Sequence, residues 1–285
     1  MRSCVPQLRV GSEEHKGLFC REFVDTFHPY EVGDVRWPAL NDTDLARLRA
    51  LPFWQEAVLS EHTAGARVQA AADAERDAML REAIALQAYE ERRHAALLES
   101  LLRCYGIPVP EGTTARPKDA EWAFLRMGYG ECFDSFFAFG LFHVAAESGI
   151  FPPPLVATFD GVMQEEARHT LFFANWVAYR GFRLPLHLKP WFLLRRGFGV
   201  ALQALGRVKT ALQLRDADEG DDFTMQIPAE VGEVTLRRLA EICLGENERR
   251  LARYDPRLLR PRLVPHLVRI GLRRMPGGAP AATPA

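Results

Sequence analysis

The string Glu-Glu-x-Arg-His occurs twice, as Glu90-Glu91-Arg92-Arg93-His94 and as Glu165-Glu166-Ala167-Arg168-His169. Background composition gives one such string only roughly a few chances in a thousand in a chain of this length, so two copies signal a repeated half-site. Both stand in stretches rich in Ala, Leu, Glu and Arg, which favour helix. On a helix, residues three apart share a face, so Glu91 with His94, and Glu166 with His169, each present a carboxylate and an imidazole on one side. That pairing is the Glu-x-x-His half-site from which helical bundles assemble two metal ions. A surface pattern of Glu and Arg one turn apart would leave the imidazoles unexplained.

The surrounding pattern predicts four long helices: Pro52 to Ala72, Glu75 to Cys104, Gly130 to Ser148 with a turn or two before it from Lys118, and Leu155 to Tyr179. Tyr105-Gly106-Ile107-Pro108 ends the second, and Phe151-Pro152-Pro153-Pro154 separates the third from the fourth. Two hairpins with short internal links and a longer connection between them make an all-α, ferritin-like four-helix bundle with one long crossover. Residues 1–51 are expected as an arm carrying short helices at His15 to Thr26 and, capped by Asn41, Asp42 or Thr43, up to Ala50; no chemistry is placed there. The bundle takes 52–180. Further helices at Pro190 to Leu214, Pro228 to Tyr254 and Pro261 to Met275 form a C-terminal extension over 181–275, and the Pro/Gly/Ala-rich tail 276–285 is expected to be disordered.

Each half-site also needs a carboxylate from the preceding helix of its hairpin. Glu61 is surrounded at helical spacing by Trp54, Ala57, Val58, Ala64, Gly65 and Val68, an apolar stripe that buries an acid unless something binds it, whereas Glu56 shares its face with Ser60 and Thr63. On the third helix the choice lies between Glu131, preferred, and Asp134; Glu147 and His143 stand too close to the Pro-rich break to be level with Glu166. Four ionised carboxylates, Glu61, Glu91, Glu131 and Glu166, would each cost several kcal/mol to bury unless compensated. Two divalent cations would neutralise them. Oxygen-rich ligation with one imidazole per metal suits iron or manganese, and two iron ions are expected, with Mn/Fe also compatible.

The two strings and their setting, about Pro52 to Tyr179, resemble the ferritin-like di-iron carboxylate superfamily, especially its bacterial monooxygenases and the ribonucleotide reductase small subunit. The resemblance implies that the acid before each ligand Glu lies outside the metal shell, Glu165 orienting His94 and Glu90 orienting His169. A metal-bound imidazole does need an acceptor on its other N–H, and Arg93 and Arg168 would keep those acids ionised. It also implies a catalytic hydroxyl at Ser135, one turn past Glu131 near the oxygen-binding face, the alternative being a serine bonded to its own helix backbone. Leu98 stands where a radical-bearing tyrosine of the reductase subunit would be, which disfavours a radical generator. Gly65 is expected to leave space beside the metals.

These features predict an O2-dependent oxidoreductase acting on a small, apolar or aromatic substrate, by hydroxylation, N-oxygenation or desaturation. Phe133, Phe136, Phe137, Phe139, Phe142, Phe172 and Phe173 supply core and candidate pocket wall. No flavin or nicotinamide fingerprint is present, so electrons would come from an external reductase or ferredoxin. The alternative is a metal-handling or peroxide-scavenging protein without organic substrate. With 36 Lys plus Arg against 37 Asp plus Glu there is no basic field for nucleic acid. Five scattered cysteines without a C-x-x-C pair, and an opening segment without an apolar run, predict a reduced cytoplasmic protein. The C-terminal arginines, Arg257 to Arg274, alternate with aliphatic residues and suit either an anionic membrane surface or a helix packed on the bundle or on a partner in a homodimer; Trp191 to Leu205 carries the same two options.

Overall fold

The computed structural model describes residues 8–112, 114–149, 151–216 and 235–275. Cys4, the tail 276–285 and the 228–234 part of the helix expected from Pro228 lie outside the described residues. The described residues carry helices and no strand: α1 (Glu13–Asp25), α2 (Asp42–Ala50), α3 (Trp54–Ala74), α4 (Ala78–Cys104), α5 (Ala120–Glu147), α6 (Pro153–Arg183), α7 (Lys189–Asp216), α8 (Leu236–Leu251) and α9 (Leu263–Arg274).

Caps set the boundaries. Asp77 accepts hydrogen bonds from the N–H groups of Met79 and Leu80, so α4 starts there rather than at Glu75, which is extended. Asn41 caps α2 by accepting from Asp44 N. The turns expected from Lys118 and the helix expected from Gly130 form one continuous α5, whose start is set by Asp119 accepting from Trp122 N. Gly128 lies inside α5. In space it is a packing residue: a Cβ there would fall within 2.5 Å of three ring atoms of Phe173.

The helices α3 to α6 form two hairpins, in each of which the partners run antiparallel. His62 meets Glu99 and Gln69 meets Arg92 across the first; Ser135 meets Glu166 and Glu121 meets Arg180 across the second. Between hairpins α4 and α6 are antiparallel too, with Arg93 on Glu165 and Arg168 on Glu90. Hence α4 and α5 point the same way, and the chain must travel the length of the bundle between them. A 27-residue α4 is about 40 Å long, and residues 105–119 extended reach roughly 50 Å. The connection runs back along α3, where Thr114 lies 3.5 Å from Thr63 and Arg116 pairs with Asp73 at 2.9 Å.

Two apolar layers divide the bundle. One gathers Trp54, Val58, Leu101, Leu102 and Leu155, the other Val68, Ile84, Ala88, Phe124, Leu171 and Phe172 with Phe19 and Phe23 of α1. The repeat acids and histidines on α4 and α6, and Glu61 on α3, fall between these layers. Outside, α8 packs along α5 and α6, and α7 along α5. Arg250 of α8 is fully buried, donating to Asp160 Oδ1 at 2.7 Å. No helix among the described residues is long and apolar enough to cross a membrane.

Candidate metal centre

Successive turns of α4 bring Gln87, Glu91 and His94 to one face, and α6 does the same with Glu166 and His169, because spacings of three and four keep side chains within one stripe. The facing stripes converge. Ligand-capable atoms of Glu61, Glu91, His94 and Glu166 lie within 4.8 Å of one another, and so do those of Glu91, Glu131 and His169. Glu91 belongs to both groups. Glu166 Oε1 is 3.3 Å from His94 Nδ1 and 3.8 Å from His169 Nδ1, so it too stands between the groups. The two rings lie 5.8 Å apart.

Each imidazole turns its other nitrogen outward to an acid of the opposite repeat. His94 Nε2 is 2.7 Å from Glu165 Oε2, and His169 Nε2 is 3.0 Å from Glu90 Oε2. Those acids are gripped by the arginines of the opposite copies, Arg93 Nη2 on Glu165 at 2.6 Å and Arg168 Nη2 on Glu90. With Nε2–H donating to the outer carboxylate, Nδ1 faces the cluster, where it would offer its lone pair to a cation once any proton there is displaced. Both Nδ1 atoms are buried without a hydrogen-bond partner, as are Glu61 Oε2 and Glu131 Oε1. Orphaned ligand atoms converging from four helices fit a pair of cations.

The electrostatics agree. Burial, then Glu91 and Glu166, pushes the Glu61 carboxyl up to about 7. Burial and the same two neighbours push Glu131 well above the usual range. Burial opposes the charged form of both histidines, yet carboxylates prevail: Glu165, Glu166 and Glu61 raise His94, and Glu91 with Glu90 raises His169. Burial would likewise raise Glu90, but His169 and Arg168 hold it below the ordinary value. Left to protons alone, the cluster satisfies its charge by keeping hydrogens on groups a cation would displace.

Asp134, the other candidate on α5, lies elsewhere: its side chain is 69% exposed and held by Arg207 of α7. Relative to Glu131, Ser135 turns about 40° one way and Asp134 about 60° the other, so only the serine stays with the cluster. Ser135 Oγ donates to Glu166 Oε2 at 3.2 Å and not to its own helix. Gly65 does not open space: a Cβ there would meet Arg92 Cγ at 3.1 Å and Glu91 Cβ at 3.5 Å, so it allows α3 to approach α4. Glu56 is exposed, and Glu147 is exposed and paired with His143. Leu98 packs among the first apolar layer.

Two contributions were not expected. Gln87 donates to Glu91 Oε1 at 3.1 Å and reaches Glu131 Oε2 at 3.4 Å; its place one turn before Glu91 was the available signal. The N-terminal segment, to which no chemistry was assigned, covers the outer arginines. The Arg93 guanidinium lies 3.9 Å from the Tyr30 ring centre and donates to His28 O, and that of Arg168 lies over Phe23. Among the phenylalanines, Phe133, Phe136, Phe139 and Phe173 line a cavity of about 550 Å³, Phe172 packs on Phe19 and Phe23, and Phe137 is exposed.

Set against protein-family models, characterised proteins and solved structures, the chain has no match. The four described cysteines are free thiols.

Proposed function

We propose that this protein is an O2-dependent di-iron oxidoreductase of the ferritin-like carboxylate type, acting in the cytoplasm on a small apolar or aromatic substrate. The observation that carries the reading is the crossed arrangement of the repeats: each His offers an unpartnered Nδ1 to the cluster while its Nε2 is held by the other copy's outer acid. Glu61, Glu91, His94 and Glu166 would hold one iron, and Glu91, Glu131, His169 and Glu166 the other. When bound, the ferrous pair supplies electrons and Lewis acidity for reducing O2. Oxygen-rich ligands with one imidazole each favour iron or manganese over zinc or copper.

The protein's own groups then have distinct tasks. Glu165 and Glu90 fix the tautomer and aim of the imidazoles. Gln87 and Ser135, both hydrogen-bond donors, set the orientation of Glu91 and Glu166. The apolar layers on either side limit water around the reacting centre. Electrons would arrive from a separate reductase or ferredoxin. Outward-facing Trp191, Leu194, Phe198 and Leu205 on α7 support a peripheral partner there, a membrane surface or a second copy of the chain.

Partial exposure of the Glu61 and Glu166 side chains, 24% and 13%, favours a second reading, a metal-handling protein with no organic substrate. Anaerobic titration with ferrous iron, followed by rapid mixing with O2, separates the readings. Two irons per chain and a transient visible absorbance that decays faster with substrate are expected. Iron that mineralises in an oligomeric shell supports the second reading, and no stoichiometric iron removes both. Glu61→Ala should abolish paired binding; Glu56→Ala should leave it intact.

A further inference from the structure

The 550 Å³ cavity lies between α5, α6, the start of α7 and residues 259–265, and none of the six cluster residues lines it. Its size falls in the range of small-molecule sites. The wall is apolar, with Phe133, Phe136 and Phe139 of α5 opposite Phe173 and Val177 of α6. Its charged residues are all cationic: Lys189 and Arg196 from α7, Arg260 and Arg262 from the segment entering α9. No carboxylate is among the lining residues, although acids slightly outnumber bases in the chain as a whole.

The cations are under-used. Arg196 donates its Nε to Tyr129 and Arg260 one Nη2 bond to the Tyr254 carbonyl, while Arg260 Nη1 is buried without a partner. Among the described residues none of the four forms an ion pair with an acid. Burial lowers the basicity of Arg260 more than nearby Glu22 and Asp255 restore it, so its charge is incompletely compensated. The rim is apolar and open, with Phe182 61%, Leu193 59% and Leu263 41% exposed. A greasy chamber whose only charges are positive complements a molecule with a greasy body and one negative end. Guanidinium forks suit a planar carboxylate in particular.

We propose that this chamber binds an amphipathic carboxylate of the fatty-acid class, its chain against the phenylalanine wall and its carboxylate met by Lys189, Arg196 and Arg260. The site stands on its own lining and needs no metal.

Displacement of a fluorescent polyene fatty acid from the full-length protein tests it. Decanoate should displace the probe at least about tenfold better than decanol, the value of one charge-assisted hydrogen bond, and decylammonium should not compete. Lys189→Gln and Arg196→Gln should each weaken decanoate by about tenfold, with Arg196→Lys recovering only part of the loss because an ammonium lacks the guanidinium fork. Glu166→Ala, which disables the metal cluster, should leave decanoate binding unchanged, so failure of either site is seen separately. The proposal is overturned by equal affinity for decanoate and decanol, by a folded Lys189→Gln/Arg196→Gln double variant that binds normally, or by association only with phosphatidylglycerol vesicles.

Discussion

Glu90 and Glu165 show how one residue type serves two purposes within five positions of chain. Adjacent glutamates on a helix point about 100° apart, so the second acid of each pair faces the cluster and the first faces the opposite repeat's histidine. Replacing an outer acid should therefore act through the imidazole. Glu165→Gln keeps the shape but loses the charge that holds His94, and is expected to weaken metal binding by about 10- to 100-fold; competition with a calibrated chelator would read this, and an unchanged affinity would deny Glu165 that role. The cluster's proton affinities give a second expectation. Glu61 is raised to about 7 and both histidines are raised, so these groups hold protons that a cation must displace. Metal affinity should rise as pH increases through about 7 and fall below it, with protons released on binding. Calorimetry in two buffers of different ionisation enthalpy measures that release directly.

At the scale of elements, close approach rather than propensity decides the geometry. Gly140 on α5 faces α8, and a Cβ there would lie 2.2 Å from Cys243 Sγ and 3.1 Å from Cys243 N and Cα. Gly140→Ala must push α8 off its seat, and an overpacking cost of about 1–3 kcal/mol is expected from the urea midpoint. Gly161, exposed within α6, has open space where a methyl group would stand, with nothing within 4 Å, so Gly161→Ala should stabilise by up to about 1 kcal/mol. The pair of variants separates a glycine required by packing from one that only weakens its helix. Gly128 belongs with the first kind, which is why α5 continues through a position whose local propensity argues for a break.

For the whole molecule, the carboxylate–histidine cluster lies between two apolar layers and the N-terminal segment covers the arginines that hold its outer acids, so binding of a cation there would be linked to folding. Glu61 has a folded value above its unfolded one, which means its contribution to stability is complete below about 4.5 and is lost as pH rises through about 7. A cation reverses this by taking the proton's place. The gap in melting temperature between iron-loaded and metal-free protein should thus widen as pH rises across that window; at a hundredfold excess over the dissociation constant the stabilisation is about 2.7 kcal/mol. Scanning calorimetry with and without ferrous iron checks it, and a difference that narrows with pH would contradict the assignment of Glu61.

The doubled string and its helical spacing put Glu91 with His94 and Glu166 with His169 on facing stripes, because i and i+3 geometry is local, and the apolar stripe around Glu61 turns that acid toward them, although its side chain stays 24% exposed. Hairpin pairing, too, was legible from the breaks at Gly106 and at Pro152 to Pro154. What only the tertiary structure decided depends on contacts between distant segments. Asp134 is drawn outward by Arg207, seventy-three residues later in the chain. Gly65 serves helix approach instead of an open face. Tyr30 and Phe23 reach the arginines of the repeats from an arm whose own sequence carries no periodic signal. Phenylalanines that look alike along α5 are divided among core, cavity and surface by the helices that pack on them, and no spacing rule encodes which neighbour arrives.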